Sequence, residues 1–276
     1  MRGRSLPSWL ALAALGLATV GARAADDGKY PDFKGQWERV SSTRWDPGKT
    51  NKAAPLTPEY RAIYDANVAD MEAGGQGDDP TYRCMAPGMP RDMIAYEPME
   101  VVVTPDTTYI LIDHIHDNRR IHTDGRGFPP EMADNPQFSG YSIGRWADED
   151  GDGRYDTLFV ETRGMKGPRT YEMTGIPLHK DNQTIVKERI YLDKTDPDIL
   201  HDDITTMDHA LTRPWTVMKN MRRDRKLQWL EEDCGENNQH VVIGKDNYLM
   251  SADGYLMPAR KDQAAPDLRN FASPRN

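Results

Sequence analysis

The sequence predicts an all-β protein: an antiparallel sandwich or barrel carrying one helical insertion. Two observations place it in that class. From Glu97 onward the apolar residues come in short β-branched runs divided by turn residues, roughly eight to ten runs in all. Only one stretch, between Thr57 and Gly74, repeats its apolar residues at helical spacing. Strands that follow one another without intervening helices argue against an alternating α/β fold.

The chain opens on a segment of another kind. Arg2 and Arg4 precede an apolar run from Leu6 to Gly21, and Ala22-Arg23-Ala24 follows as a small-x-small site. That order is a secretory signal peptide, so residues 1–24 are expected to be removed and the protein to be periplasmic or secreted. No later stretch is apolar for long enough to predict a membrane span.

Phe33 to Val40 reads as the first strand, and residues 44–55 as a polar loop. Thr57 suits a helix cap, Pro58 the first helical position, and Gly74-Gly75 the stop. Tyr60, Ile63, Tyr64, Val68 and Met71 give that helix one apolar stripe. Residues 74–92 are irregular around Cys84, and the whole insertion, 57–93, is expected to cover one end of the sheet.

Met99–Thr104 and Thr107–His116 form a hairpin across Pro105-Asp106. Arg120–Thr123 is short and extended, and Asp124-Gly125 turns it. Tyr141–Ala147 and Thr157–Thr162 bracket an acidic loop. Thr184–Leu192, Asp203–Met207, Trp215–Met221 and Leu227–Glu232 are further strands, and 240–257 adds one or two more. A single domain over 25–258 is expected, with a polar, flexible tail at 259–276.

The chain carries 35 basic and 44 acidic residues, a net charge of -9. Loss of Arg2, Arg4 and Arg23 takes it to about -12, which makes the mature chain a poor candidate for nucleic acid or anionic membranes, so neither is expected as a partner. No G-x-G-x-x-G and no P-loop occurs, so no nucleotide cofactor is expected. Cys84 and Cys234 are the two cysteines, and an exported chain is expected to join them.

Two sets of motifs suggest relatives. Gly35-x-Trp37 on the first strand resembles the opening signature of lipocalin-like barrels, which implies a barrel rather than a sandwich. The second set is longer. It comprises Arg119-Arg120-Ile121-His122-Thr123-Asp124-Gly125-Arg126, Gly140-Tyr141-Ser142-Ile143-Gly144-Arg145-Trp146, Thr157-Leu158-Phe159-Val160-Glu161-Thr162, Leu211-Thr212-Arg213-Pro214-Trp215 and Cys234-Gly235-Glu236-Asn237-Asn238. These are similar to a large group of exported bacterial proteins with no assigned reaction. The resemblance implies fold and export rather than chemistry. The acidic run 148–156 is longer here than the connection in that group.

Gly140-x-Ser142-x-Gly144 matches the G-x-S-x-G pattern, but a nucleophile elbow must lead into a helix, and here a turn and a strand follow. The expected reading is a glycine-flanked strand in a tight sheet. Asp148, Asp150, Asp152 and Asp156, with Gly153 at position 6 and the Arg154 carbonyl at position 7, match the start of an EF-type loop. Phe159 stands where the bidentate Glu should be. Calcium there competes with a plain solvated acidic turn.

His114 and His116 share a strand face, with His122 beyond them. Zinc ligation or acid–base work is the sharper reading, and hydrogen-bonded surface histidines the commoner one. Glu188 shares a face with Ile190 and Leu192, and Glu161 one with Phe159. Charges on apolar strand faces point to internal Arg–carboxylate pairs that brace the barrel, or to a polar pocket floor.

The leading expectation is a lipocalin-like barrel that binds a small, partly apolar ligand inside. His116, His122, Arg145, Trp146 and Glu161 are the candidate contacts. The competing class is a lyase, hydratase or isomerase using His114, Asp124, Arg126 and Glu188 in the same cavity. A third class is a structural protein of the cell envelope.

Overall fold

The computed structural model describes residues 28–40, 45, 54–94, 98–112, 118–226, 234, 239–243, 246–251 and 253–267. The expected signal-peptide segment, His114, His116 and the expected strand Leu227–Glu232 lie outside the described residues.

Nine strands close into a barrel in sequence order: β1 (Gln36–Arg39), β2 (Met99–Val103), β3 (Thr107–Ile112), β4 (Asn118–His122), β5 (Tyr141–Ala147), β6 (Thr157–Arg163), β7 (Ile185–Leu192), β8 (Ile199–Met207) and β9 (Trp215–Asp224). β1 pairs with both β2 and β9, which completes the ring. Closure leaves the barrel itself without an edge strand, the exposed feature through which sheets aggregate.

One seam departs from the expected antiparallel order. β4 and β5 run parallel, through Ile121 opposite Ser142 and His122 opposite Ile143. Parity requires this: a ring with an odd number of strands cannot alternate direction all the way round. Residues 123–140 therefore travel back along the barrel, because a parallel neighbour cannot be reached through a tight turn.

Period-2 patterning sets the inside. Val186, Glu188 and Ile190 on β7 are buried, as are Leu200, Asp202, Ile204 and Thr206 on β8, while Lys187 between them is exposed. Gly144 explains half of the G-x-S-x-G pattern. A Cβ there would meet the Ile121 methyl at 2.6 Å, so only glycine lets β5 lie against β4. Gly140 has φ +67°, and a Cβ would meet the Arg163 carbonyl at 2.7 Å. Ser142 points inward, buried, and shares a hydrogen bond with Thr162 Oγ1 at 2.8 Å.

The insertion closes the end where β4 and β5 begin. α1 (Pro58–Glu72) starts at Thr57, whose side chain accepts the Tyr60 N–H. Its buried residues are Tyr60 and Asn67, whereas Ile63 is 41% exposed, so the helix lies on the surface and buries less than its expected stripe. The deeper cover is the 3-10 turn Arg91–Ile94, all four residues of which are buried. At the other end Tyr30 and Phe33 pack on Trp146, with ring centroids at 5.3 and 5.5 Å.

Past the barrel, β10 (His240–Ile243), β11 (Asp246–Met250) and β12 (Leu256–Pro258) form a separate three-stranded sheet where one or two strands were expected. It docks on the insertion. Cys234 is bonded to Cys84, with Cα atoms 5.6 Å apart, and Arg260 pairs with Asp70 at 2.8 Å. Gln263 donates to the Asn247 carbonyl at 2.8 Å, so the first residues of the expected tail are fastened. Among the described residues no helix is long and apolar enough to cross a membrane.

Candidate functional site

The centre of the barrel is charged. Arg119 on β4 points inward, 1% exposed, and reaches Glu188 on β7 through two hydrogen bonds, Nη1 to Oε1 at 2.8 Å and Nη2 to Oε2 at 2.6 Å. This fork-to-fork geometry is the strongest form of the pair. Nη2 also donates to Thr162 Oγ1 at 3.2 Å and Ser142 Oγ at 3.3 Å. Met93 from the insertion places its sulfur 3.1 Å from Nη1. Burial works against the Arg119 charge, but Glu188 outweighs it, and the pKa of the guanidinium ends above its ordinary value.

Asp202 lies on the neighbouring strand, opposite Lys219, with both residues fully buried. Among the described residues neither Asp202 oxygen receives an N–H or hydroxyl hydrogen bond. Its contact is with the Glu188 carboxylate. Burial first, and the Glu188 charge second, push its pKa well above the carboxylate range. Burial and the neighbouring Glu188 charge thus both favour the neutral form of Asp202. Asp92 of the insertion, also fully buried, adds negative charge near Arg119.

A cavity big enough for a ligand leaves its lining accessible to a water-sized sphere. Ile110, Ile112, Arg119, Ile121, Leu158, Val186 and Ile204 are at most 2% exposed. The interior at this level is packed with side chains, where an open amphipathic lumen was expected. The aliphatic side chains leave no room, and Glu188, Ser142 and Thr162 meet the Arg119 guanidinium.

An accessible space lies outside the parallel seam. Only two residue pairs join β4 to β5, so the strands part above Ile121. A cleft of about 440 Å³ opens there, lined by Asn118, Arg119, Arg120, His122, residues 137–142 and Lys166. Among its described lining residues Arg120 and Lys166 bring cationic side chains and none is a carboxylate, while the Arg119 guanidinium is turned inward to Glu188. Arg120 and Lys166 are exposed, and Lys166 lies over the Phe138 ring at 4.7 Å. His122 borders the cleft with its pKa lowered, by burial first and by Arg126 second.

The candidates from the sequence separate. Glu188 belongs to the buried centre. Asp124 and Arg126 do not join it: they pair with each other at 2.6 Å on an exposed turn. Asp124 follows Arg119 by five residues, about 16 Å along a strand and toward the end opposite the insertion. Hydrogen bonds from Arg126 hold Asp124 down at a pKa of about 2. Arg145 lies exposed on the outer face against Phe159, at 4.3 Å from the ring. Glu161 is also outside, with Arg163 at 2.6 Å and Lys187 at 3.5 Å. Trp146 faces inward but belongs to the aromatic plug at the far end.

In the acidic loop, carboxylate oxygens of Asp148, Asp150 and Asp156 come within 4.8 Å of one another. Asp152 is outside that group, and its Oδ1 accepts the Arg154 N–H at 2.8 Å. Asp148 accepts the amides of Gly151, Asp152 and Gly153, and Asp156 those of Glu149 and Asp150. Lys194 approaches Asp150 at 3.7 Å. The loop is thus shaped by its own backbone donors.

Asp202 is the residue that sequence reasoning missed at the centre. The expected strand began at Asp203, four residues after β8 starts at Ile199, and so left Asp202 out. Its signal was the alternation Leu200, Asp202, Ile204, Thr206, which places a carboxyl on an inner face.

Fold and site together define a class: a closed nine-stranded β-barrel with a water-excluded ionic centre and a basic cleft at its one parallel seam. No family model and no curated protein matches the chain.

Proposed function

We propose that this is an exported binding protein for a small organic anion, held in the cleft at the β4–β5 seam. One observation carries the reading: among its described lining residues the cleft has the exposed cations Arg120 and Lys166 and no carboxylate, on a chain whose net charge is -9. Phe138 and Tyr141 in the same lining suit an apolar body, so the ligand class is an aliphatic or aromatic carboxylate. The buried Arg119–Glu188 pair fixes the strand from which Arg120 projects. Export rests on the charged, apolar, small-residue order of residues 1–24, on the disulfide, and on the resemblance to exported bacterial proteins. Binding is favoured over catalysis because Glu188 is 3% exposed and held at both oxygens by Arg119.

Calorimetry with benzoate and octanoate, against benzylamine and octylamine, tests this. A carboxylate is expected to bind and its amine counterpart not to. The Arg120→Ala/Lys166→Ala variant is expected to bind more weakly by about tenfold or more, the scale of one lost charge-assisted hydrogen bond. Equal binding of acids and amines, or an unaffected double variant, sinks the reading.

A second reading concerns the acidic loop alone. The approach of Asp148, Asp150 and Asp156 supports a calcium ion there, completed by water and by backbone carbonyls such as that of Arg154. Millimolar calcium is then expected to raise the melting temperature relative to chelator, and Asp150→Ala to remove the difference. Superimposable melting curves for the unmodified protein leave the solvated turn as the correct description.

A further inference from the structure

A second cluster lies at the insertion end, away from the seam. His179 and Asp181 are in the β6–β7 connection, and His209 is in the turn between β8 and β9. One ligand atom from each comes within 4.8 Å of the others. Asp181 bridges the rings, with Oδ1 at 2.8 Å from His179 Nδ1 and Oδ2 at 2.6 Å from His209 Nδ1. The backbone N–H of Asp181 also points at His179 Nδ1, at 3.1 Å. A ring nitrogen has either a lone pair or a proton. Nδ1 and the carboxylate oxygen face each other at hydrogen-bond distance, so either a proton or a metal cation held between them satisfies the contact.

The cluster is held in place from outside. Asp208 Oδ1 accepts the backbone N–H groups of both His179 and Ala210, which ties the two connections together. The Tyr60 ring lies against the His179 ring, with centroids 4.9 Å apart, and the Tyr60 hydroxyl accepts the Lys180 N–H at 3.1 Å. Three elements thus set the rings before any ligand arrives. The side chains of His179, Asp181 and His209 are 22, 32 and 68% exposed, so water can fill remaining coordination positions.

We infer that His179, Asp181 and His209 form a surface binding site for a divalent transition metal, with zinc the best match. Two imidazole nitrogens and one carboxylate oxygen suit zinc, whereas calcium and magnesium take oxygen alone. Around a tetrahedral zinc, neighbouring ligand atoms stand about 3.3 Å apart, so a small rearrangement of the three groups suffices. Water occupies the fourth position, as in open zinc sites.

The test uses the tag-free protein, stripped with chelator and titrated with zinc against a chromophoric competitor. One zinc per chain is expected. His209→Ala is expected to weaken it at least tenfold, because loss of even a supporting residue around a metal costs 10–100-fold. His209 is exposed, so this variant is expected to melt with the unmodified protein in chelator. His201→Ala, which removes a histidine bonded to Asp193 and Asn220, is expected to leave zinc affinity unchanged, as is Asp150→Ala in the acidic loop. Cobalt in place of zinc is expected to give visible absorption bands that His209→Ala abolishes. No zinc binding, full affinity in His209→Ala, or equal loss in His201→Ala or Asp150→Ala overturns the assignment and leaves His209–Asp181 as an ion pair only.

Discussion

Glu188→Ala is expected to destabilise the protein by about 3–5 kcal/mol, the cost of leaving one charge of a buried pair without its partner. Arg119 is 1% exposed and has no water to turn to, so its guanidinium would lose both oxygens at once. Guanidinium unfolding measures the effect as a lower midpoint. The double variant Arg119→Met/Glu188→Met is expected to recover most of the loss, since apolar replacements of similar size often match a buried pair. A Glu188→Ala protein within about 1 kcal/mol of the unmodified one would mean that water reaches Arg119 and that the centre is open.

The same centre has a pH signature. In the folded barrel burial and Glu188 hold the Asp202 pKa above the ordinary value of 3.8, near which it ionises in the unfolded chain. Between 3.8 and its raised native pKa the folded state holds the extra proton, so Asp202's contribution to stability falls as pH rises. It is fully present below pH 3.8 and is lost through the native pKa. Asp202→Asn keeps a hydrogen-bond donor toward Glu188 without a group to ionise. It is expected to flatten this descent and to be the more stable protein at pH 8. A stability profile unchanged by Asp202→Asn would show that the carboxyl is ionised in the native state.

Reduction of the disulfide is expected to have an effect of similar size. Cys84 and Cys234 are 150 residues apart, a loop that in the chain-entropy model stabilises by about 5 kcal/mol. The bond also joins the insertion to the segment that follows the barrel, so its loss is expected to free both. Unfolding with and without reductant, and of Cys84→Ser/Cys234→Ser, should show matching drops in the denaturant midpoint. Midpoints unchanged by reductant would mean that the sheet β10–β12 and the ion pair Arg260–Asp70 hold these segments without the bond.

Much of the barrel was legible because its strands obey local rules. Tyr141–Ala147 was readable to the residue, since Gly140 turns the chain before it and the acidic run ends it. The helix start was equally plain, because Thr57 and Pro58 are cap chemistry that needs no distant partner. The helix face was less so. Tyr60 and Asn67 are buried while Ile63 is exposed, because the surface beneath offers Asn67 the Thr174 carbonyl at 2.6 Å.

The site was legible only in its parts. Glu188 on an apolar face and Arg119 in a basic run both signalled buried charge, and each requires a partner. Asp124 and Arg126 looked like members of the same group, but they satisfy each other across two residues and remain outside.

By itself the sequence determined the all-β class, the start of the helix, most of the strands and the two cysteines to be joined. These follow from spacing, caps and period-2 alternation, which act over a few residues. Tertiary structure alone decided three things. The count of nine strands forced one parallel seam, and the seam made the cleft. Ring closure, not spacing, brought Arg119 to Glu188 across 69 residues. The return of β7 and β8 to the insertion end placed His179 and Asp181 beside His209, 28 residues past Asp181. Such meetings depend on how many strands lie between two residues and which way each one runs, and no local pattern records that.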